Sequence, residues 1–156
     1  MPTIEGDLSP PKRHFAIVAA KFNAFVVDAL VSGSLEGLKA CGVAGDRVDV
    51  VRVPGAFEIP LVAKTLAAGG KYAAVICLGA VIRGDTDHYD YVASAATDGV
   101  LRAGLDTGVP VIFGVLTCDD EAQALDRAGG PAGNKGFDCA QAAVEMVNLL
   151  EKLTSA

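Results

Sequence analysis

One run of six residues, Phe15-Ala16-Ile17-Val18-Ala19-Ala20, carries no polar side chain. A strand with one wet face alternates apolar and polar residues. An unbroken apolar run predicts a strand buried on both faces, as in a parallel sheet covered by helices. Asp46–Val53, Ala73–Leu78 and Pro110–Leu116 read as three further strands. The segments between them have helical period. Asn23 suits an N-cap, and the helix it opens reaches about Cys41, with Val27, Leu30, Val31, Leu35 and Leu38 as its inner stripe and Gly42 as its stop. Pro60 suits the first turn of a helix that runs to about Ala68 and ends at Gly69-Gly70. A third helix runs from about His88 or Tyr89 to Leu105, where Gly99 and Gly104 permit close packing on the sheet or on a neighbouring subunit. A short helix over Asp120–Ala128 follows. The last helix runs from Phe137 to about Leu153, with Ala140, Ala143, Val144, Val147 and Leu150 on one face. Gly129 to Gly136 reads as a mobile loop between them.

Strands that alternate with helices imply right-handed crossovers and a parallel sheet. The 156 residues contain no internal repeat and no linker, and they suffice for one sizeable core. The expected object is an α/β protein with a single domain over residues 1–156. It is a three-layer α/β/α sandwich with a flavodoxin-like parallel sheet. Residues 3 to 8 read as a short extended segment, cut off from the body by Ser9-Pro10-Pro11. Two readings of it stand: a frayed tail, or a strand given to the open sheet edge of a neighbouring subunit.

A net charge of −6 argues against a nucleic-acid partner. The longest apolar run, Tyr72 to Ile82, is too short to span a membrane and contains a glycine. The first residues lack the basic region and long apolar core of a signal peptide. Cys41, Cys77, Cys118 and Cys139 form no C-x-x-C pair, and His14 and His88 are far apart in sequence, so no metal site is expected. Cys77, inside an apolar strand, reads as a small core residue. Free thiols of this kind suit a reducing cytoplasm.

In an open parallel sheet, ligands bind beyond the carboxyl ends of the strands. Phe22-Asn23, Gly55 to Ile59, Ala80 to His88, and Phe113 onward all end or follow a strand, so four such segments meet at one edge. Leu78 to Val92 is the richest of them: L-G-A-V-I-R-G-D-T-D-H-Y-D-Y-V. It turns through Gly79 and Gly84 into the first turn of a helix. The unpaired N–H groups of a helix start offer an anion a seat on Asp85 and Thr86. His88 can move protons beside that anion. Taken alone, the stretch also reads as a helix cap with a solvated histidine. Phe22, between strand and helix, can stack on a flat ring. Glu58 either accepts hydrogen bonds from ligand hydroxyls or is a favourable charge near a helix start. The loop before Lys135 fails the P-loop pattern, because Gly136 stands where Ser or Thr is required. Arg127 and Lys135 still place two cations around a glycine-rich turn. That suits a phosphate, a polar ring substituent, or a solvated loop.

Five motifs occur in order over nearly the whole chain: I-V-A-A-K-F-N, V-P-G-A-F-E-I-P, G-A-V-I-R-G-D-T-D-H-Y-D-Y-V, P-V-I-F-G-V-L-T and A-L-D-R-A-G-G-P-A-G-N-K-G. Together they resemble the 6,7-dimethyl-8-ribityllumazine synthase family, which catalyses the penultimate step of riboflavin biosynthesis. The resemblance implies a transferase that condenses 5-amino-6-(D-ribitylamino)uracil with 3,4-dihydroxy-2-butanone 4-phosphate and needs no metal or organic cofactor. It implies that Phe22 stacks on the pyrimidine, that Asn23, Ala56, Phe57 and Glu58 bind the ribityl chain, and that Ala80, Val81 and Ile82 contact the ring through backbone. Asp85, Thr86 and Arg127 match the phosphate site, and His88 matches the proton-transfer residue. Phe113 and Lys135 match ring contacts, with Phe113 and Arg127 reaching the pocket from the adjacent subunit.

The resemblance also implies a pentamer in which residues 3 to 8 join the next subunit's sheet. The short G-N-K-G form of the last loop further implies a hollow shell of twelve pentamers, with a riboflavin synthase as a candidate associate. Two positions depart from the pattern. Asp85 is acidic where phosphate is expected, which points to contact through the backbone N–H. Pro131 stands where relatives often carry lysine. The alternative readings are a related pentameric riboflavin synthase, and a non-catalytic flavin-binding or cage-forming protein.

Overall fold

The computed structural model describes residues 1–155. Four strands, β1 (His14–Ala20), β2 (Val48–Val53), β3 (Tyr72–Ile82) and β4 (Val111–Cys118), form one parallel sheet in the order β2-β1-β3-β4. The unbroken apolar run is β1, and its alternate residues serve two cores. Phe15, Ile17 and Ala19 pack with α1 (Ala24–Ala40), α4 (Glu121–Asp126) and α5 (Lys135–Thr154). Ala16, Val18 and Ala20 pack with α2 (Ile59–Ala68) and α3 (His88–Thr107) on the other face. Helices on both faces leave no wet side to the interior strands, which is why the alternation expected of a surface strand is missing there.

Small residues set the spacing between layers. A Cβ on Gly37 of α1 would lie 2.7 Å from the Ala140 Cβ of α5, and one on Gly99 of α3 would lie 2.5 Å from Pro60 Cγ of α2. Gly99 therefore packs against this chain's own α2. Gly136 is tighter still, because an added Cβ would run into the Leu30 carbonyl of α1. Gly136→Ala is expected to destabilise the chain by about 1–3 kcal/mol through overpacking. Thermal unfolding should show this as a midpoint several degrees lower.

Four expectations need correction. β3 does not stop at Leu78. It continues to Ile82 because pairing with β4 continues to Ile82↔Cys118 and is extended by the Arg83 N–H donating to Cys118 O at 2.9 Å. Gly79 is therefore a strand residue, not a turn, and its missing side chain leaves room for Ile59. Asn23 precedes α1 but does not cap it. It adopts φ 61°, a left-handed conformation that asparagine tolerates, and its side chain leaves the helix altogether.

The Gly129–Gly136 loop is structured rather than mobile. β5 (Ala128–Gly130) and β6 (Gly133–Asn134) form an antiparallel hairpin. Asn134 then caps α5, with Oδ1 accepting from the Gly136 N–H at 2.8 Å and the Phe137 N–H at 3.2 Å, while Nδ2 donates to Ala29 O at 3.1 Å. This cap is why α5 starts at Lys135, two residues before the expected start.

The segment before β1 forms no strand with its own sheet. Glu5 to Ser9 instead lie on α5 of the same chain. Asn148 Nδ2 donates to Asp7 O at 2.8 Å and to Ser9 O at 2.9 Å; Lys152 Nζ donates to Glu5 O at 2.8 Å and pairs with Asp7 Oδ2 at 2.9 Å. The Lys152 hydrogen bond, helped by the Ser9 N–H, holds the Asp7 carboxyl down at about 2. A carboxyl lowered from its ordinary 3.8 stabilises the folded state above that value and loses the contribution as pH falls through about 2. The contact is thus complete at neutral pH.

Candidate active site

The loop after β1 keeps the sheet's pairing beyond the strands. The Lys21 N–H donates to Val53 O at 2.7 Å and the Phe22 N–H to Pro54 O at 3.0 Å. With its backbone held this way, the Phe22 ring stands 71% exposed at the sheet's carboxyl edge. The Asn23 side chain then crosses to β3 and donates to Ala80 O at 2.8 Å. β2 ends in a single 3-10 turn, Ala56–Glu58, whose Phe57 and Glu58 side chains are exposed. β3 leads through Arg83–Asp87 into α3, and His88 is the first residue of that helix. The Asp87 side chain makes no capping bond, and the His88 N–H reaches Thr86 Oγ1 at 3.4 Å.

These pieces enclose a cleft with two lobes. The wider, about 620 Å³, is floored by Pro54 to Glu58 and walled by Phe22, His88, Tyr91 and Val92. The narrower, about 240 Å³, follows Ala80 to Ile82 and is closed by Asn23, Gly84, Thr86 and Tyr89. Phe22, Ala56, His88 and Val92 line both lobes. Three exposed aromatic rings, Phe22, Phe57 and Tyr91, with one imidazole, one carboxylate at Glu58 and an uncapped helix start, thus face a largely apolar space. That combination can hold a flat ring and an anion with a proton carrier between them.

The structure brings together Phe22, Asn23, Ala56, Phe57, Glu58, Ala80, Val81, Ile82, Thr86 and His88. It does not bring the remaining four. Asp85 lines neither lobe although both its neighbours do. Phe113 is only the third residue of the edge strand β4, well before the carboxyl end where the sequence placed it. Arg127 follows α4 and donates to Gln123 O at 2.9 Å; the Lys135 N–H donates to Arg127 O at 2.8 Å. These three line neither lobe of their own chain. Sequence reasoning also left out Pro54, Tyr89, Tyr91 and Val92. Tyr91 and Val92 had a signal, for they follow His88 by three and four residues and so share its helix face.

The thiols line neither lobe. Burial pushes Cys77 up to about 12 and Cys139 up to about 11, so neither is a thiolate at neutral pH. Among the described residues no group of three or more His, Cys, Asp or Glu side chains is placed to hold a metal ion, and no helix is long and apolar enough to cross a membrane.

The family model of 6,7-dimethyl-8-ribityllumazine synthase matches residues 12–151. The chain belongs to this family. A 6,7-dimethyl-8-ribityllumazine synthase of Desulfatibacillum aliphaticivorans is 52% identical over 149 residues, covering 96% of each chain. One of Desulfotalea psychrophila is 54% identical over 150 residues, covering 96% of this chain and 97% of its own. Membership in the lumazine synthase family makes this chain an enzyme of riboflavin biosynthesis. The matched span takes in both lobes of the cleft and the hairpin that carries Arg127 and Lys135.

Proposed function

We propose that the chain condenses 5-amino-6-(D-ribitylamino)uracil with 3,4-dihydroxy-2-butanone 4-phosphate, giving 6,7-dimethyl-8-ribityllumazine, phosphate and water, without a metal or organic cofactor. The observation that carries this reading is that Phe22 and His88 both line both lobes, so a ring stacked on Phe22 meets a proton carrier at the lobes' junction. The pyrimidine stacks on Phe22 against the Ala80–Ile82 backbone. The ribityl chain runs over Ala56 and Phe57 to Glu58 in the wider lobe, with Asn23 facing it from the narrower lobe. The phosphate sits at the helix start on the Asp85 and Thr86 N–H groups.

The chemistry then needs only proton movements and positioning. The amine attacks the ketone carbonyl and loses protons, and the carbonyl oxygen leaves as water. A proton is taken from carbon as phosphate is eliminated. The second nitrogen closes the ring on the remaining carbonyl, and a second water leaves. One imidazole that accepts and returns protons serves these steps in turn. Holding two substrates side by side supplies much of the rest. A mixture of the two substrates with the protein should therefore develop lumazine absorbance, with phosphate released in equal amount. Either substrate alone should give neither.

The adjacent subunit supplies Phe113 and Arg127 to this cleft, and Lys135 stands beside them. Two facts support a shared site. None of the three lines the chain's own cleft. The chain also exposes two different apolar patches, Phe57 with Leu61 and Tyr91 near the cleft, and Leu101, Leu105 and Met146 along the β4 side. Two unlike patches on one chain suit a head-to-tail contact, and such contacts form a ring where the rotation between neighbours closes. The ring is a pentamer, in which residues 3 to 8 exchange their seat on α5 of their own chain for the neighbour's sheet edge. Both sheet edges, β2 and β4, lack an outer partner strand among the described residues, so an acceptor edge is available.

Twelve such rings form a hollow shell, for which a riboflavin synthase is a candidate occupant. The whole chain acts as one domain in the cytoplasm, where its four buried free thiols stay reduced. Light scattering with negative-stain microscopy is expected to show uniform hollow particles far above pentamer mass. A uniform particle of pentamer mass in phosphate buffer at neutral pH would contradict the shell and leave the ring standing.

A further inference from the structure

Arg83 opens the loop that leads to His88, yet its side chain lines neither lobe of the cleft. It reaches outward and ties three elements together. Its Nε lies 3.2 Å from Asp119 Oδ1, at the exit of β4. Its Nη1 lies 4.0 Å from Asp90 Oδ1, in the first turn of α3. Its guanidinium carbon lies 4.3 Å from the centre of the Tyr89 ring, and its backbone N–H continues the β3–β4 pairing to Cys118 O. A guanidinium has an edge that pairs with carboxylates and a flat face that stacks on rings, and here both are used at once. Exposed ion pairs of this kind add little stability singly. What the arrangement supplies is direction. Tyr89 lines the narrower lobe and follows His88 directly. The first turn of α3 has no capping side chain at Asp87, so its start is steadied from outside the helix.

We propose that Arg83 is a positioning residue for the reaction: by stacking on Tyr89 and pairing with Asp90 and Asp119, it fixes the first turn of α3 and so the direction of His88 into the cleft. The proposal rests on His88 being the proton carrier. Arg83→Ala is expected to lower kcat roughly tenfold, the scale of a small misplacement of a catalytic group. KM for the ribitylaminouracil should stay within about twofold, because Arg83 touches neither lobe, and KM for the butanone phosphate, whose phosphate sits at the same helix start, should rise by less than kcat falls. Arg83→Lys keeps the charge and loses the flat face, and should recover part of the rate.

In a His88→Ala background the Arg83→Ala change should cost less than about twofold more, since the residue it positions is gone. A separate readout is independent of turnover. Hydrogen exchange followed by mass spectrometry on the intact assembly should show faster exchange at Asp90 and Tyr91, whose N–H groups donate to Asp87 O, and no change elsewhere. A wild-type kcat in Arg83→Ala, a loss carried by KM alone, a full tenfold loss on top of His88→Ala, or unchanged exchange at Asp90 and Tyr91 would each overturn the proposal. Failure of the wild-type protein to make lumazine would sink the assigned reaction instead, and the exchange measurement would still decide whether Arg83 holds the turn.

Discussion

His88→Ala is expected to lower kcat by about a hundredfold while both substrates bind within about twofold of the wild-type affinity. His88 lines both lobes but is one wall residue among several, and Phe22, Asn23 and the Ala56–Glu58 turn remain to hold the ribitylaminouracil. General acid–base groups contribute about 10²–10⁴-fold. The low end of that range applies because the condensation is chemically feasible without a catalyst once the two substrates are held together. Single-turnover rates with dissociation constants measured on the same variant check the split. An unchanged rate would remove His88 from the mechanism, and a loss confined to affinity would make it a binding group.

Arg127→Ala is expected to act on the other substrate. A guanidinium facing a phosphate dianion makes charge-assisted hydrogen bonds, and their loss costs about 1.5–3 kcal/mol, or roughly ten- to a hundredfold in affinity. KM for the butanone phosphate should rise by that factor, and affinity for the ribitylaminouracil should change much less. Within its own chain Arg127 is tied only lightly, to the Gln123 carbonyl at 2.9 Å on an exposed turn, so the substitution should leave the fold intact. Titration with each substrate separately checks this. Weakened ribitylaminouracil binding with normal use of the phosphate would place the phosphate site elsewhere.

Most of the sheet was legible because it is written in local chemistry. An apolar run such as Phe15–Ala20 can satisfy its backbone and its side chains only inside a covered sheet, and Pro60 and Gly42 mark helix ends by their own stereochemistry. The misreadings came where a distant partner decides. β3 runs on to Ile82 because β4 is there to pair with it, and a single glycine at position 79 does not outweigh that ladder. Asn23 has the chemistry of a cap, but the Ala80 carbonyl, 57 residues away, takes its side chain. Gly129–Gly136 reads as a loose loop by composition, and Asn134 turns it into a capped hairpin by bonding to Ala29 and to the start of α5.

The cleft residues divide in the same way. Those at strand ends, Phe22, Glu58, Ala80 to Ile82 and His88, were found because an open parallel sheet places its ligands there. Tyr89, Tyr91 and Val92 lie in the same motif as His88, and the spacing of Tyr91 and Val92 from it puts those two on its helix face. Phe113, Arg127 and Lys135 gave no local sign of how they reach the cleft. In the shared site proposed above, Phe113 and Arg127 reach the cleft from a second chain.

The account is tested most directly by mixing two damaged subunits. Chains carrying His88→Ala and chains carrying Arg127→Ala are coexpressed in equal amount, and lumazine formation is measured at a butanone phosphate concentration where each variant alone is nearly inactive. If His88 and Arg127 of one site come from neighbouring chains, random assembly restores both in roughly one site in four. The mixture should then run at about a quarter of the wild-type rate. A mixture no faster than the average of the two variants would contradict a site shared between subunits.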